Sequence, residues 1–166
     1  MIGYSEIVIP AQLKNYFVTS VKQSRVPNTI LFTGVNGGSA IGVALSLAKH
    51  MSCENPKALD SCNKCSTCLQ FNNFNYPNLH LSFPFSKSKS KQQDPSCAEF
   101  RSIFTNALQE SIYLTQERWL NVFEADNQQL TITVGEAKAI SKELSIKGFS
   151  SKPRFVLIWQ PELLNS

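Results

Sequence analysis

The segment Thr29–Ile41, TILFTGVNGGSAI, decides how the rest of the chain is interpreted. Its short apolar run TILF is followed by Gly34, and Gly37 and Gly38 come soon after. From Ile41 onward, apolar residues recur with the spacing of one helical face. An apolar run, a glycine-rich turn and an amphipathic segment in this order are typical of a strand, a tight loop and a helix in series. The segment therefore predicts one strand-loop-helix unit of an α/β fold.

The glycine loop has the spacing of a phosphate-binding loop but lacks its chemistry. A working loop follows the pattern G-x-x-x-x-G-K-[ST], in which the lysine neutralises phosphate oxygens and the hydroxyl binds Mg2+. With Gly34 as the first glycine, the second glycine, lysine and hydroxyl positions hold Ser39, Ala40 and Ile41. We interpret Gly34, Gly37, Gly38, Ser39, Ala40 and Ile41 as a degenerate, inactive P-loop that does not bind ATP. A plain tight turn, or a residual anion site at the helix N-terminus, would explain the same residues.

The end of the last predicted strand also lacks catalytic groups. Residues 154–159 contain an apolar run that is typical of a buried strand, and Trp159 and Gln160 stand at its end. In P-loop ATPases, acidic residues at this point serve Mg2+ binding and water activation. A plain buried strand would show the same apolar run, so this observation gains weight only beside the altered loop. Together the two segments predict no catalytic residue and no intrinsic catalysis.

Four cysteines, Cys53, Cys62, Cys65 and Cys68, form the pattern C-x8-C-x2-C-x2-C after the glycine loop. Four thiolates bind Zn2+ tetrahedrally and leave no open position for a substrate. The pattern predicts a structural zinc ion in a module of residues 52–70. An iron–sulfur cluster is an alternative, although the x3-C-P continuation of ferredoxin motifs is absent. Free or disulfide-linked cysteines are another, and the odd total of five excludes complete intramolecular pairing.

The order of the remaining segments places these motifs in a layered sheet. Predicted strands at 29–32, 79–83 and 154–159 alternate with helical segments, the first of which follows Pro10. Strands separated by helices pair in parallel through right-handed crossovers. The predicted fold class is therefore α/β, a P-loop-type parallel sheet flanked by helices with the small four-cysteine zinc module inserted. Because three strands are few for such a sheet, we expect residues 1–166 to be one domain, the amino-terminal part of a longer protein.

Residues 84–130 are predicted to be an insertion into this fold. The insertion contains a polar loop at 86–93, SKSKSKQQ, which has no apolar residue to bury. Apolar residues at helical spacing then predict helices around Phe100–Ala107 and Trp119–Phe123. No role for the insertion follows from its composition.

A capping-box pattern marks the helix that follows the insertion. Thr133 and Glu136 stand three positions apart, as in the pattern that satisfies the first amides of a helix. The apolar spacing predicts that Ala137, Ile140 and Leu144 form the inner face of this helix.

Composition restricts the class of protein. Sixteen Lys and Arg against twelve Asp and Glu give a formal charge of +4, which is compatible with a nucleic-acid partner without requiring one. No apolar run reaches the roughly 20 residues of a membrane span, and the N-terminus lacks the layout of a secretory signal. These observations predict a cytoplasmic protein with no membrane partner.

The order of these motifs resembles the bacterial clamp-loader AAA+ subunits. The resemblance rests on the first helix, TILFTG with the glycine loop, the C-x8-C-x2-C-x2-C module and PNLH at 77–80. The altered loop GVNGGSAI and the strand end WQPELLN make the chain most similar to the delta prime branch of this family in DNA polymerase III, whose members are commonly ATPase-inactive. The insertion at 84–130, and Tyr76 where the family often has histidine, depart from the pattern.

The resemblance implies an AAA+ fold and a non-hydrolysing subunit of a ring that also contains delta and gamma/tau subunits. In this family, that hetero-oligomer belongs to the DNA polymerase III holoenzyme and loads the sliding clamp onto primed DNA during replication. The arginine that such subunits can offer to a neighbouring ATP site belongs to a Ser-Arg-Cys motif, which would lie beyond Ser166.

Two other functions stay open. An active P-loop NTPase of the gamma/tau type would bind Mg-ATP through its unusual loop and hydrolyse it. A zinc-ribbon-like nucleic-acid-binding module would place Lys64, Lys87, Lys89 and Lys91 against phosphates, and its affinity would fall steeply with added salt.

Overall fold

The computed structural model describes residues 1–125, 128–145 and 152–164, and the chain divides into two compact units, Met1–Tyr76 and Pro77–Ser166. The first unit contains helices α1 (Ala11–Lys22), α2 (Ala40–Ser52) and α3 (Ser66–Asn72). The second contains strands β1 (Leu79–Ser82) and β2 (Phe155–Ile158) and helices α4 (Arg101–Glu110), α5 (Gln116–Val122) and α6 (Val134–Ser145). Within these described ranges, no helix combines the length and the apolar character that a membrane span requires. The single domain over 1–166 stays a prediction.

A small apolar core joins α1 and α2 in the first unit. Pro10 directly precedes α1, where a proline costs no intrahelical hydrogen bond. Phe17 and Val18 of α1 pack in one buried cluster with Val43 and Leu47 of α2. The two helices predicted in this part of the chain are therefore confirmed.

The strand predicted at residues 29–32 is wrong. These residues have no regular secondary structure, and Leu31 is 75% exposed. An apolar run becomes a strand only when a neighbouring strand accepts and donates its ladder hydrogen bonds. Both strands of the described ranges belong to the second unit and pair with each other, so the predicted three-stranded sheet is a two-stranded one there.

In the second unit, β1 and β2 pair in parallel, as the alternation of strands and helices predicts. The register aligns Leu79 with Phe155 and Ser82 with Ile158. Leu79, Leu81 and Ser82 of β1 are buried, whereas β2 is half-buried and Ile158 is 38% exposed. The expectation of a buried last strand is wrong, because among the described residues β2 has a strand neighbour on one edge only.

The 84–130 segment supplies most of the buried apolar residues of the second unit. Helices α4 and α5 confirm the two predicted helices and place Phe104 and Trp119 against Phe83. The rings of Phe83 and Phe104 stack with centroids 4.0 Å apart, and Trp119 meets both edge-on at 5.5 and 5.3 Å. Two backbone hydrogen bonds between Phe85 and Thr131 join the two ends of the segment. The predicted insertion is therefore a packed part of this unit.

Helix α6 begins as predicted but buries a different surface. The Thr133 hydroxyl accepts a 3.1 Å hydrogen bond from the Glu136 amide, which is one half of a capping box. Gly135 and Glu136 are the buried residues of the helix, whereas Ala137 and Leu144 are exposed and Ile140 is half-buried. The predicted inner face is wrong, because the residues that α6 buries lie in its first turn.

Close packing of that first turn depends on Gly135. A Cβ atom at this position would lie 2.5 Å from Asp94 Oδ1 and 2.7 Å from the Pro95 carbonyl oxygen. The Thr133 hydroxyl also donates a 2.7 Å hydrogen bond to the same carbonyl. The start of α6 is thereby fixed against the segment that leads into α4.

Candidate metal centre and glycine loop

The structure brings together the four cysteines that their spacing singles out. Cys53 follows the last residue of α2, Cys65 caps α3, and Cys68 lies in the first turn of α3. Cys62 lies in the segment between the two helices. All four Sγ atoms lie within 4.8 Å of one another, and none of these cysteines forms a disulfide.

The sulfur geometry fits one tetrahedral ion. Zn2+ with four Zn–S bonds of about 2.3 Å holds its sulfur atoms about 3.8 Å apart. The Sγ atoms of Cys62 and Cys68 are 3.8 Å apart, and those of Cys53 and Cys68 are 3.6 Å apart. A disulfide would require about 2.0 Å. The donor set is all sulfur and complete at four, so it suits a zinc ion without an open coordination position.

Backbone amides donate hydrogen bonds to the sulfur atoms of Cys62 and Cys53, which favours their thiolate forms. The amides of Lys64 and Cys65 donate to Cys62 Sγ over 3.4 and 3.3 Å, and the Cys62 amide donates to Cys53 Sγ over 3.2 Å. These bonds require a tight turn, in which Asn63 adopts a φ of 61°, a conformation that asparagine tolerates. The two amides lower the pKa of Cys62 to about 6.

Burial acts in the opposite direction on two other cysteines. Desolvation raises the pKa of Cys68 to about 12, and it also raises the pKa of Cys53. Thiolates that are close together repel one another, so they cannot all ionise without a cation between them. A metal ion would therefore displace protons from the buried thiols when it binds.

The segment between α2 and α3 has almost no apolar core of its own. Residues 54–59 are all exposed, and Leu59 is 55% exposed. The Glu54 carboxylate accepts hydrogen bonds from the hydroxyls of Ser66 and Thr67 over 3.1 and 2.9 Å. Polar contacts and the sulfur cluster are therefore the main interactions that hold this segment on α3.

Tyr76, which departs from the pattern of the resembled family, has a structural position. Its ring is 3% exposed and stacks on Phe71 of α3 with centroids 4.4 Å apart. The ring packs against the buried Phe71 side chain, which accounts for its burial.

A buried lysine next to the cluster was missed by the sequence analysis. Lys49 of α2 is 0% exposed, and its Nζ donates to Ile2 O, to Asn63 Oδ1 and, over 2.8 Å, to Asn72 Oδ1. No local pattern distinguishes it, because two of its acceptors, Asn63 and Asn72, lie 14 and 23 positions further along the chain. Burial lowers the pKa of Lys49, whereas Cys68, Asp60, Cys53 and Cys62 act to raise it.

The glycine loop forms a tight turn at the start of α2. The Gly38 amide donates to Val35 O over 2.9 Å, and Gly37 has a φ of 74°. A Cβ atom on Gly38 would lie 2.9 Å from Val35 O, so a larger residue would not fit without movement. The turn alone accounts for these two glycines, whereas a Cβ on Gly34 would meet no neighbouring atom within 4 Å.

The altered positions of the loop lie at the start of α2. Ser39 is the residue before the helix, Ala40 is its first residue, and the Ile41 side chain is buried at 5% exposure. No side chain in Gly34–Ile41 carries a positive charge that could neutralise a phosphate. That this loop does not bind ATP stays a prediction.

Comparison with known proteins gives two partial matches. A stretch of 74 residues is 34% identical to the DNA polymerase III subunit delta' of Bacillus subtilis and covers 45% of this chain and 22% of that protein. A stretch of 71 residues is 25% identical to the DNA polymerase III subunit gamma/tau of Mycoplasma genitalium and covers 43% of this chain and 12% of that protein. Each match therefore spans less than a quarter of the relative's length. No solved structure matches the chain.

A family-level match covers far more of the chain. The model of the family described as DNA polymerase III, delta subunit matches residues 9–166. This range includes the glycine loop, the four clustered cysteines and all described helices and strands. The protein therefore belongs to the family described as DNA polymerase III, delta subunit, and is a clamp-loader-family subunit.

Proposed function

We propose that this chain is a clamp-loader subunit of the delta prime type, which does not hydrolyse ATP. The observation that carries the proposal is the four-cysteine cluster behind a glycine loop that lacks the lysine and hydroxyl of a P-loop. In this function the subunit joins delta and gamma/tau subunits in a cytoplasmic hetero-oligomer, a component of the DNA polymerase III holoenzyme. It acts on the sliding clamp and primed DNA through that complex.

In this proposal the metal is structural. Cys53, Cys62, Cys65 and Cys68 would hold a zinc ion in a closed shell, which supplies rigidity and no reaction centre. The ion would fix the exposed segment 54–59 between α2 and α3, where buried apolar contacts are few.

We expect the chain to show no ATP hydrolysis above the protein-free background. Ala40 stands at the lysine position of the loop, and Gln160 stands at the end of the last strand in place of an acid. Without these charges, neither phosphate neutralisation nor water activation is supplied. A phosphate-release assay with Mg-ATP measures this, with an active gamma/tau protein as positive control.

The same assay separates the proposed function from its rival. The match to a gamma/tau subunit favours an active NTPase as the second candidate. Turnover by the purified chain that disappears when Mg2+ is removed would establish that candidate and overturn the delta prime assignment.

Assembly is the direct test of the proposed function. We expect the full-length protein to co-elute with delta and gamma/tau subunits in size-exclusion chromatography. The control is the same mixture without gamma/tau, which distinguishes ring assembly from a binary contact. If the folded, zinc-loaded protein co-elutes with neither subunit, the proposal is contradicted.

A further inference from the structure

The side chain of Lys49 is one of the few charged groups that the structure buries completely. Its exposed fraction is 0%, and the three N–H groups of an ammonium match the three oxygen atoms that accept from it. All three acceptors are neutral carbonyl oxygens, from Ile2, Asn63 and Asn72. Hydrogen bonding is therefore satisfied, but the positive charge has no directly bonded counter-ion in this network.

A buried charge of this kind is costly unless an opposite charge lies nearby. The groups that act electrostatically on Lys49 are Asp60 and three cysteines of the cluster, Cys53, Cys62 and Cys68. The Asp60 carboxylate is already engaged by the amides of Ser5 and Ser61, over 3.2 and 2.7 Å. Four thiolates around one Zn2+ carry a net charge of about −2. The metal-loaded cluster would therefore carry more negative charge than the Asp60 carboxylate, the other group that acts on the ammonium.

Two acceptors of Lys49 belong to the segments that carry the cysteines, so its hydrogen bonds link these segments to α2. Asn63 lies between Cys62 and Lys64, in the turn whose amides point at Cys62 Sγ. Asn72 is the last residue of α3, and its Oδ1 also accepts from the Ile2 amide over 3.0 Å. One ammonium therefore connects α2, the cysteine turn, α3 and the start of the chain.

We propose that Lys49 is a positioning residue of the metal centre, whose buried ammonium compensates the charge of the four thiolates and holds the Cys62–Cys65 turn in its metal-binding conformation. This inference rests on the zinc-binding role proposed above. It predicts that the metal and Lys49 stabilise each other, so removal of the charge weakens zinc binding.

The test compares the zinc affinity of the reduced 166-residue chain with that of two variants, by competition with a chromophoric chelator. Lys49→Met keeps a similar length but removes the charge, and we expect its affinity to fall at least about tenfold. Lys64→Met is the matched control, because Lys64 is exposed and lies between two of the ligands. Its charge is screened by water, so the control should stay within about threefold of the wild type.

Two further variants separate charge from shape. Lys49→Arg should bind zinc more tightly than Lys49→Met because it keeps the charge. Equal zinc affinities of these two variants would contradict the proposal that the charge of Lys49 compensates the thiolates. Lys49→Gln keeps hydrogen-bond donors without the charge, and it decides the question if the methionine variant does not fold. A zinc affinity of Lys49→Gln equal to that of Lys64→Met would contradict the inference.

A second readout excludes a merely structural role. For each variant, the rise in thermal unfolding midpoint on adding zinc to the metal-free chain is measured. A purely structural lysine would lower both midpoints equally and leave the rise unchanged, which would overturn the inference. Wild-type protein without stoichiometric zinc would overturn the metal role and this inference together. Zinc-loaded wild type with an unweakened Lys49→Met variant would overturn this inference alone.

Discussion

Replacing Cys68 with serine is expected to abolish stoichiometric zinc binding and to unfold the segment between α2 and α3. Cys68 is 0% exposed, and its Sγ lies 3.6 and 3.8 Å from two other sulfur atoms, so the substitution removes a ligand from the interior of the cluster. Zinc binding at four cysteines contributes on the order of 10 kcal/mol to folding. Residues 54–59 are exposed and cannot replace that contribution with buried apolar surface.

Elemental analysis and limited proteolysis measure these two effects. The matched control is Cys97→Ser, because Cys97 is also buried but belongs to the second unit and lies outside the cluster. It should retain its zinc, and chelation of the wild type should reproduce the protease sensitivity of Cys68→Ser. Equal zinc content in Cys68→Ser and wild type would refute the assigned ligand set.

Replacing Glu136 with alanine should destabilise the second unit by about 3–5 kcal/mol. The Glu136 side chain is 0% exposed, and its two oxygen atoms accept from different partners. Oε1 bonds to His80 Nε2 of β1 over 2.7 Å, and Oε2 bonds to the Cys97 amide over 2.8 Å. Alanine would leave the buried Cys97 amide and the partly buried His80 nitrogen without this acceptor. Urea unfolding monitored by tryptophan fluorescence reports on this unit, since both tryptophans lie in it.

Two comparisons test whether the loss of stability comes from the buried Glu136 carboxylate. Glu143→Ala removes a 48% exposed carboxylate that lies 3.8 Å from the other ring nitrogen of the same histidine. That substitution should lower the free energy of unfolding by less than about 1 kcal/mol, because water screens an exposed pair. Glu136→Gln keeps the side-chain volume and one acceptor oxygen. Its free energy of unfolding should therefore lie between those of the wild type and Glu136→Ala. Equal costs for Glu136→Ala and Glu143→Ala would contradict the buried bridge.

The same carboxylate gives the second unit a defined acid sensitivity. Burial alone would raise the pKa of Glu136, but hydrogen bonds from His80 and Cys97 outweigh it and hold the pKa below its ordinary value of 4.5. A carboxylate with a depressed folded-state pKa contributes stability above its unfolded pKa and loses it as the pH falls through the folded value. The stability of the wild type should therefore decline below about pH 4.5, and Glu136→Gln should lose this component.

Local patterns predicted the parts of the structure that depend on neighbours in sequence. Cysteine spacing identified the four sulfur atoms that the structure brings together, because a short loop and the first turn of a helix fix their relative positions. The helices after Pro10 and around Trp119 followed from the period of their apolar residues. The cap at Thr133 is likewise a contact between residues three positions apart.

Features that depend on distant partners escaped the sequence. The run at 29–32 has strand composition, but pairing partners decide whether a strand forms. In a complete capping box the Glu136 side chain would turn back to its own helix start, whereas its carboxylate bonds to residues 56 and 39 positions away. Lys49 likewise appears as an ordinary helix residue until Asn63 and Asn72 are placed around it.

The aromatic core contributed by residues 84–130 limits how the chain can be shortened. Phe104 and Trp119 lie at the centre of the second unit, and the Trp119 indole donates a 2.7 Å hydrogen bond to the Pro84 carbonyl. Deletion of the segment would expose the inner side of β1 to water and remove the partner of Phe83. A shortened version of this protein would therefore need other side chains to fill the space that Phe104 and Trp119 occupy.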